Sequence, residues 1–239
     1  MENLTKKYGG LVALDNLSFE VGQGETVGVI GPNGAGKTTL FDLITGFQHP
    51  TSGKVMLDGR EITGQRPNQI VQRGMNRTFQ IVRPFTDLTV LENVLVGLIL
   101  GKARLNRQRG REELKNQAME LLQLVGLTRT PLSLTRNLSH GELKKLELAR
   151  ALSTYPDVLL VDEVFSGLSS QETQELSDAL ARVKASRNLT VLMVEHKVSK
   201  VVQLANRMLV LDHGKLLSQG TPQEILSDQK VLEAYLGRG

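Results

Sequence analysis

The sequence contains no cysteine. Disulfides, thiolate metal sites and cysteine nucleophiles are therefore excluded. It has no tryptophan and only three tyrosines and six phenylalanines, which argues against an aromatic stacking platform for single-stranded nucleic acid. Long apolar runs are missing too. The most apolar stretch, Val94 to Leu100, falls far short of the ~20 residues that cross a bilayer. No basic-plus-apolar leader opens the chain, so no signal peptide is expected and the protein should stay in the cytoplasm. Neither an internal repeat nor a low-complexity segment is evident.

Of the 239 residues, 40% are apolar, enough for a sizeable core. The net charge of +4 is compatible with nucleic acid, anionic lipid or a nucleotide. The densest basic segment, Lys102, Arg104, Arg107, Arg109 and Arg111, lies in a polar stretch without aromatics. A solvated helix or loop is its plain reading, and a membrane- or partner-facing patch is the functional alternative.

Short apolar runs alternate with helical patterns, which points to an α/β fold with a largely parallel sheet. Buried strands are expected at Thr26 to Ile30, Asp157 to Val161 and Thr190 to Val194, with a further strand over Lys54 to Leu57. Met208 to Leu211 and Lys215 to Ser218 flank Asp212-His213-Gly214 as a hairpin. From about Val90 to Tyr155 the pattern turns helical; Leu114, Ala118, Leu121, Leu122 and Val125 share one face, and Gly126 follows as a stop. Capping boxes are expected at Ser139 with Glu142, Ser169 with Glu172 and Thr221 with Glu224.

Gly31-Pro32-Asn33-Gly34-Ala35-Gly36-Lys37-Thr38 matches the phosphate-binding loop pattern completely, between a strand and a helix. A nucleoside triphosphate carries dense negative charge, and backbone N–H groups in a glycine loop and at a helix start bind such charge without side chains in the way. Lys37 can reach the β- and γ-phosphates, and the Thr38 hydroxyl can ligate Mg²⁺. Thr39 continues the helix start. Downstream, Val158 to Val161 is an apolar strand ending in Asp162 and Glu163. Alone, such an acid pair is a weak signal. After a phosphate loop it reads as a carboxylate for the Mg²⁺ shell (Asp162) and a general base for the attacking water (Glu163).

Leu138-Ser139-His140-Gly141-Glu142 resembles the signature of the ATP-binding cassette (ABC) family, usually written LSGGQ. His196, after the strand at Val191 to Val194, is similar to that family's switch histidine. Gln80, after Arg77-Thr78-Phe79, is similar to its Q-loop glutamine. Tyr8 resembles the aromatic that stacks on adenine, and Ser166-Gly167-Leu168-Ser169 resembles the D-loop. Together with the phosphate loop and the acid pair, these motifs cover nearly the whole chain in the family's order. The resemblance implies a P-loop ABC cassette with a mostly parallel core sheet, an antiparallel β edge and an inserted helical subdomain. The α/β body would span 1–88 and 156–239, and the helical subdomain about 89–155. It also implies ATP hydrolysis with Mg²⁺. Glu163, His196, Gln80 and Lys37 would be catalytic. Tyr8, residues Gly31 to Thr39, Ser139 and Gly141 would bind nucleotide, and Thr38, Gln80 and Asp162 would serve the metal.

The implied assembly is a head-to-tail dimer with a second cassette, identical or not. Ser139 and the Gly141 backbone would touch the γ-phosphate held by the partner, a role compatible with the capping box. Integral membrane permease subunits would be the other partners, with a solute-binding protein reached through them and no nucleic acid. The chain itself would sit peripherally on the cytoplasmic face of the membrane. Four residues depart from the family pattern. His140 stands for the first glycine of the signature pair, Glu142 for glutamine, Val164 for the proline after the catalytic glutamate and Ser169 for the D-loop aspartate. The last two bear on coupling between the two ATP sites. The start at Met1 leads us to expect a short first edge strand.

Asn76 to Gln80, Leu91 to Val94 and the tail Val231 to Gly237 resemble the branched-chain amino acid uptake branch. Urea and amide importers and the lipopolysaccharide-export ATPase are the alternatives, followed by a soluble ABC ATPase and an inactive regulatory nucleotide binder. Arg83, Pro84 and Phe85, beside Gln80, read either as an anchor for a membrane subunit or, for the Phe85 ring, as packing under the helices.

Overall fold

A computed structural model of the protein describes residues 1–101, 110–128 and 131–236. The chain divides into two compact units, Met1–Ile70 with Thr190–Gly239, and Val71–Leu189.

In the first unit, β3 (Thr26–Ile30) and β9 (Thr190–Val194) are buried at every residue. β3 lies between β9 and β10 (Arg207–Asp212), parallel to both; Val29 pairs with Val194 on one side and Leu209 on the other. Strands covered on both faces need no polar alternation, which is why they stand out in the sequence as short apolar runs. β11 (Lys215–Gly220) returns antiparallel to β10. The turn between them places His213 and Gly214 at φ of 44° and 76°, the left-handed pair that matches the twist of a two-residue hairpin. The helix α1 (Lys37–Ile44) follows β3, α7 (Val198–Leu204) packs on β3, and α8 (Pro222–Ser227) and α9 (Gln229–Leu236) pack on β11.

A three-stranded antiparallel sheet has the order β2-β1-β4, with β1 at Glu2–Tyr8, β2 at Leu11–Leu17 and β4 at Ser52–Lys54. The first strand is therefore neither short nor an edge: it has seven residues and is paired on both sides. Its side chains gave no warning, because only Leu4 is buried and backbone pairing holds it in place. The expected strand from Lys54 to Leu57 is also broken. Val55 turns inward, its N–H donates to Thr63 Oγ1 and its carbonyl accepts from Ile62 N. Beyond it, β5 (Met56–Leu57) pairs with β6 (Arg60–Glu61) around Asp58-Gly59. A short helix, α2 (Pro67–Gln72), follows.

In the second unit, β7 (Met75–Arg77) and β8 (Val158–Asp162) run parallel, with Arg77 opposite Leu160. The expected helical stretch is there: α3 (Val90–Leu100), α4 (Arg111–Leu124) and α5 (His140–Ser153), with α3 packed on both of the others. α4 buries Ala118, Leu121 and Leu122, the stripe expected at helical spacing, and Gly126 ends it at φ 77°. The last helix of this unit is α6 (Ser170–Arg187). All three expected capping boxes form, and Thr89 with Glu92 adds a fourth on α3 that the same spacing could have revealed. Of the basic cluster, Lys102, Arg104, Arg107 and Arg109 lie outside the described residues, and Arg111 is exposed at the start of α4. Among the described residues no helix is long and apolar enough to cross a membrane.

Candidate nucleotide site

Gly31 to Thr39 lie in the first unit, as do Tyr8 and His196, and Gln80, Asp162, Glu163, Ser139 and Gly141 lie in the second. In the first, β3 runs straight into the glycine loop and the loop into α1. Gly36 caps α1 at φ 100° and brings no side chain to the helix start, the kind of terminus that favours an anion. A Cβ at Gly36 would lie 2.7 Å from both Ala13 O and Leu14 Cδ2, so this loop position accepts only glycine. Lys37 is buried, and its Nζ donates to the carbonyls of Gly31 (2.7 Å) and Pro32 (2.9 Å). The ammonium is thus held inside the curl of the loop. Asn33, Gly34 and Thr38 are exposed, Pro32 and Thr39 are half-buried, and Ala35 is buried.

Because β9 pairs with β3 in parallel, the segment after β9 leaves the sheet at the same carboxyl edge as the loop, where ligands bind in such sheets. Glu195 is buried there and His196 is exposed. Tyr8 ends β1 with its ring partly exposed and Lys6 Nζ 4.8 Å from the ring centroid. The C-terminal helix also reaches the loop, a contact that no sequence motif signals. The loop residues Pro32 to Ala35, the turn at Asp212 and His213, and Lys230, Glu233 and Ala234 of α9 line a cleft of about 750 Å³. Tyr235 forms a hydrogen bond with the Gly31 backbone, and burial pushes its phenol above the usual value.

In the second unit, a cluster forms where β7 and β8 end side by side. Thr78 N donates to Leu160 O at 2.9 Å, and Asp162 N donates to Thr78 Oγ1 at 3.1 Å. Arg77 Nη2 lies 2.7 Å from Asp162 Oδ2, both side chains buried. One residue on, Glu163 adopts φ 47°, a left-handed conformation that a non-glycine residue holds only when its surroundings enforce it. Gln80 Nε2 donates to Glu163 Oε2 at 2.7 Å, so the two residues singled out as Q-loop glutamine and general base touch directly. Neither Arg77 nor Lys144, whose Nζ donates to Gln80 O, was foreseen as part of this cluster; a cation in a polar segment gives no sequence signal of burial.

Ser139 is exposed at the start of α5, where its Oγ accepts from Glu142 N at 3.3 Å. Gly141 is buried, and a Cβ there would collide with the Glu172 carboxylate of the next capping box. His140 Nε2 lies 3.3 Å from Ser166 O, so the signature-like turn touches the D-loop-like segment. Ser169 caps α6 with its own hydroxyl, and Val164 is buried.

Among the described residues no group of three or more His, Asp or Glu forms a ready-made metal cage. The hydroxyl of Thr38 and the carboxylate of Asp162 are hard oxygen donors. Each, in its own unit, is a donor of the kind that Mg²⁺ prefers.

The model of the ABC transporter family matches residues 14–166. The chain belongs to the ABC transporter family. A second family model, of branched-chain amino acid ATP-binding cassette transporters, matches residues 215–239 of this cassette. The high-affinity branched-chain amino acid transport ATP-binding protein LivG of Salmonella typhimurium is 38% identical over 246 aligned positions, covering 99% of this chain and 96% of the relative. The solved ADP conformation of an ATP-binding cassette of an ABC transporter superposes with a TM-score of 0.87 at 31% identity, covering 99% of this chain and 97% of that one. A dimeric cassette in a post-hydrolysis state with ADP and phosphate gives 0.82 at 26% identity, covering 92% and 97%. The cassette therefore binds and hydrolyses ATP as the nucleotide-binding subunit of a transporter.

Proposed function

We propose that this cassette powers the uptake of branched-chain amino acids. The observation that carries the substrate class is the match of residues 215–239 to the branched-chain cassette model, and the likeness to LivG over almost the whole chain supports it. In this reading two cassettes dimerise head to tail on the cytoplasmic face of the membrane. They drive integral permease subunits, through which a solute-binding protein is served. The body comprises 1–88 and 156–239 and the helical subdomain about 89–155.

This reading assigns each candidate residue the role that the family resemblance implies. Lys37 neutralises phosphate charge, the backbone N–H groups of the loop and helix start from Asn33 to Thr39 donate to phosphate oxygens, Thr38 offers its hydroxyl to Mg²⁺, and Tyr8 presents a ring face to adenine. Asp162, fixed by Arg77, and Gln80 offer oxygens to the metal's water shell, and Mg²⁺ would supply charge neutralisation of the phosphates. Glu163 takes the proton of the attacking water, oriented by its hydrogen bond from Gln80. His196 donates to the developing phosphate charge. Ser139 and Gly141 serve the partner cassette's nucleotide.

The test is reconstitution. The membrane subunits that co-purify with the cassette are identified, placed in vesicles with it, and assayed for ATP-driven leucine, isoleucine and valine uptake. Uptake that is lost in Glu163→Gln supports the reading; hydrolysis stimulated by a different solute and indifferent to all three would overturn the substrate class.

A further inference from the structure

Lys144 is 1% exposed, an unusual place for an ammonium, which is rarely buried unless paired. Its Nζ donates to Gln80 O at 2.7 Å and to Glu163 O at 3.3 Å. Gln80 and Glu163 are therefore joined twice, once through their own side chains and once through the Lys144 ammonium on their backbone carbonyls. The second link bears on orientation. Glu163 sits at φ 47°, and an ammonium fixed on its carbonyl restrains the peptide plane from which the carboxylate projects. Lys144 also belongs to α5, the helix that begins at Ser139. The same rigid element thus presents the signature turn at its start and grips the base and the Q-loop about one and a half turns further on.

We propose that Lys144 is a positioning residue: it transmits the placement of the signature helix to Glu163 and Gln80 of its own chain, so that the base is aligned only when the helix is seated. The inference rests on the reading of Glu163 as base. An ammonium offers three donors from one point and can grip two carbonyls at once; methionine has a stem of similar length and no donor.

Steady-state phosphate release by the full chain is measured for wild type, Lys144→Met, Lys144→Arg and Glu163→Gln, with ATP-driven dimerisation followed in the Glu163→Gln background. Misplacing a catalytic group by ~1 Å costs up to ~10²-fold. Lys144→Met is therefore expected to lose about tenfold or more in kcat, with KM for ATP within about twofold of wild type, as for an interaction made only in the transition state. Lys144→Arg should recover most of that loss, and Lys144→Met/Glu163→Gln should still dimerise with ATP. Wild-type kcat in Lys144→Met overturns the proposal, as do a parallel loss of ATP affinity and dimerisation or equal failure of the arginine variant, each the mark of a merely structural lysine. If the methionine variant does not fold, Lys144→Gln takes its place: reduced kcat with arginine rescue supports the proposal, and wild-type kcat overturns it. Wild-type turnover in Glu163→Gln would instead remove the reading of the base, a result distinguishable from all of these.

Discussion

Replacing Arg77 by methionine removes the guanidinium that meets Asp162 at 2.7 Å, with side-chain exposures of 6% and 5%. The methylene stem is largely kept, so the loss is chiefly one of charge and hydrogen bonding. Breaking a buried pair by deleting one partner costs about 3–5 kcal/mol, because the remaining charge is left uncompensated in a poorly solvated place. For a chain of this length ~1 kcal/mol moves the melting temperature by about 2–4 °C. Arg77→Met should therefore lower it by roughly 6–20 °C. Arg77→Met/Asp162→Asn removes the orphaned charge as well and should recover part of that loss. Scanning calorimetry of wild type, both single variants and the double variant closes the cycle. A cost for Arg77→Met under about 1 kcal/mol, the level of an exposed ion pair, would refute the idea that this pair holds Asp162. Strict additivity in the cycle would refute it as well.

Three further outcomes follow from the structure. The Phe85 ring is 46% exposed under the Arg150 guanidinium at 5.2 Å, while Asn93 ties its backbone N–H and carbonyl at 2.9 and 3.0 Å; Phe85→Ala should leave melting and basal hydrolysis nearly unchanged but reduce co-purification with membrane subunits, and a fall of several degrees with assembly intact would assign the ring to the core instead. Hydrogen bonds from Ser169 hold Glu172 below its ordinary value of 4.5, so its contribution is present above that pH and lost as pH falls through the lowered folded value; burial raises Glu147, whose contribution is present below 4.5 and lost as pH rises through the raised value. Urea titrations across this range should thus show Glu172→Gln losing stability relative to wild type as pH rises, and Glu147→Gln gaining it. Ser139→Arg should spare monomer ATP affinity, measured with a fluorescent analogue, while blocking ATP-driven dimerisation; a collapse of monomer affinity would place Ser139 in its own chain's site.

What the sequence reveals depends on how local the chemistry is. The phosphate loop is contiguous, and its strand-turn-helix setting shows in the run Val27 to Ile30 followed by three glycines within six residues, Gly31 to Gly36. β3 and β9 announce themselves because both faces are buried. β1 does not, since its polar side chains face outward and backbone pairing holds it. Lys144 and Arg77 are silent for another reason. In Leu143-Lys144-Lys145-Leu146 a lysine reads as one of a solvated face, and only folding brings it against carbonyls 64 and 19 residues away. The C-terminal tail carries a family resemblance in its sequence, but the contact of Tyr235 with the phosphate loop is a tertiary fact.

Whether Glu163 is the base of this ATP-hydrolysing cassette is decided by comparing the purified wild-type chain with Glu163→Gln. Phosphate release and size-exclusion elution would be measured in the presence of Mg-ATP. Glutamine keeps the shape and can still meet Gln80, but it cannot accept the proton, and losing a general base costs ~10²–10⁴-fold. Wild type should release phosphate, whereas the variant should retain ATP, release almost no phosphate and elute with an added dimer peak. A variant that hydrolyses ATP at the wild-type rate and stays monomeric would contradict that role for Glu163.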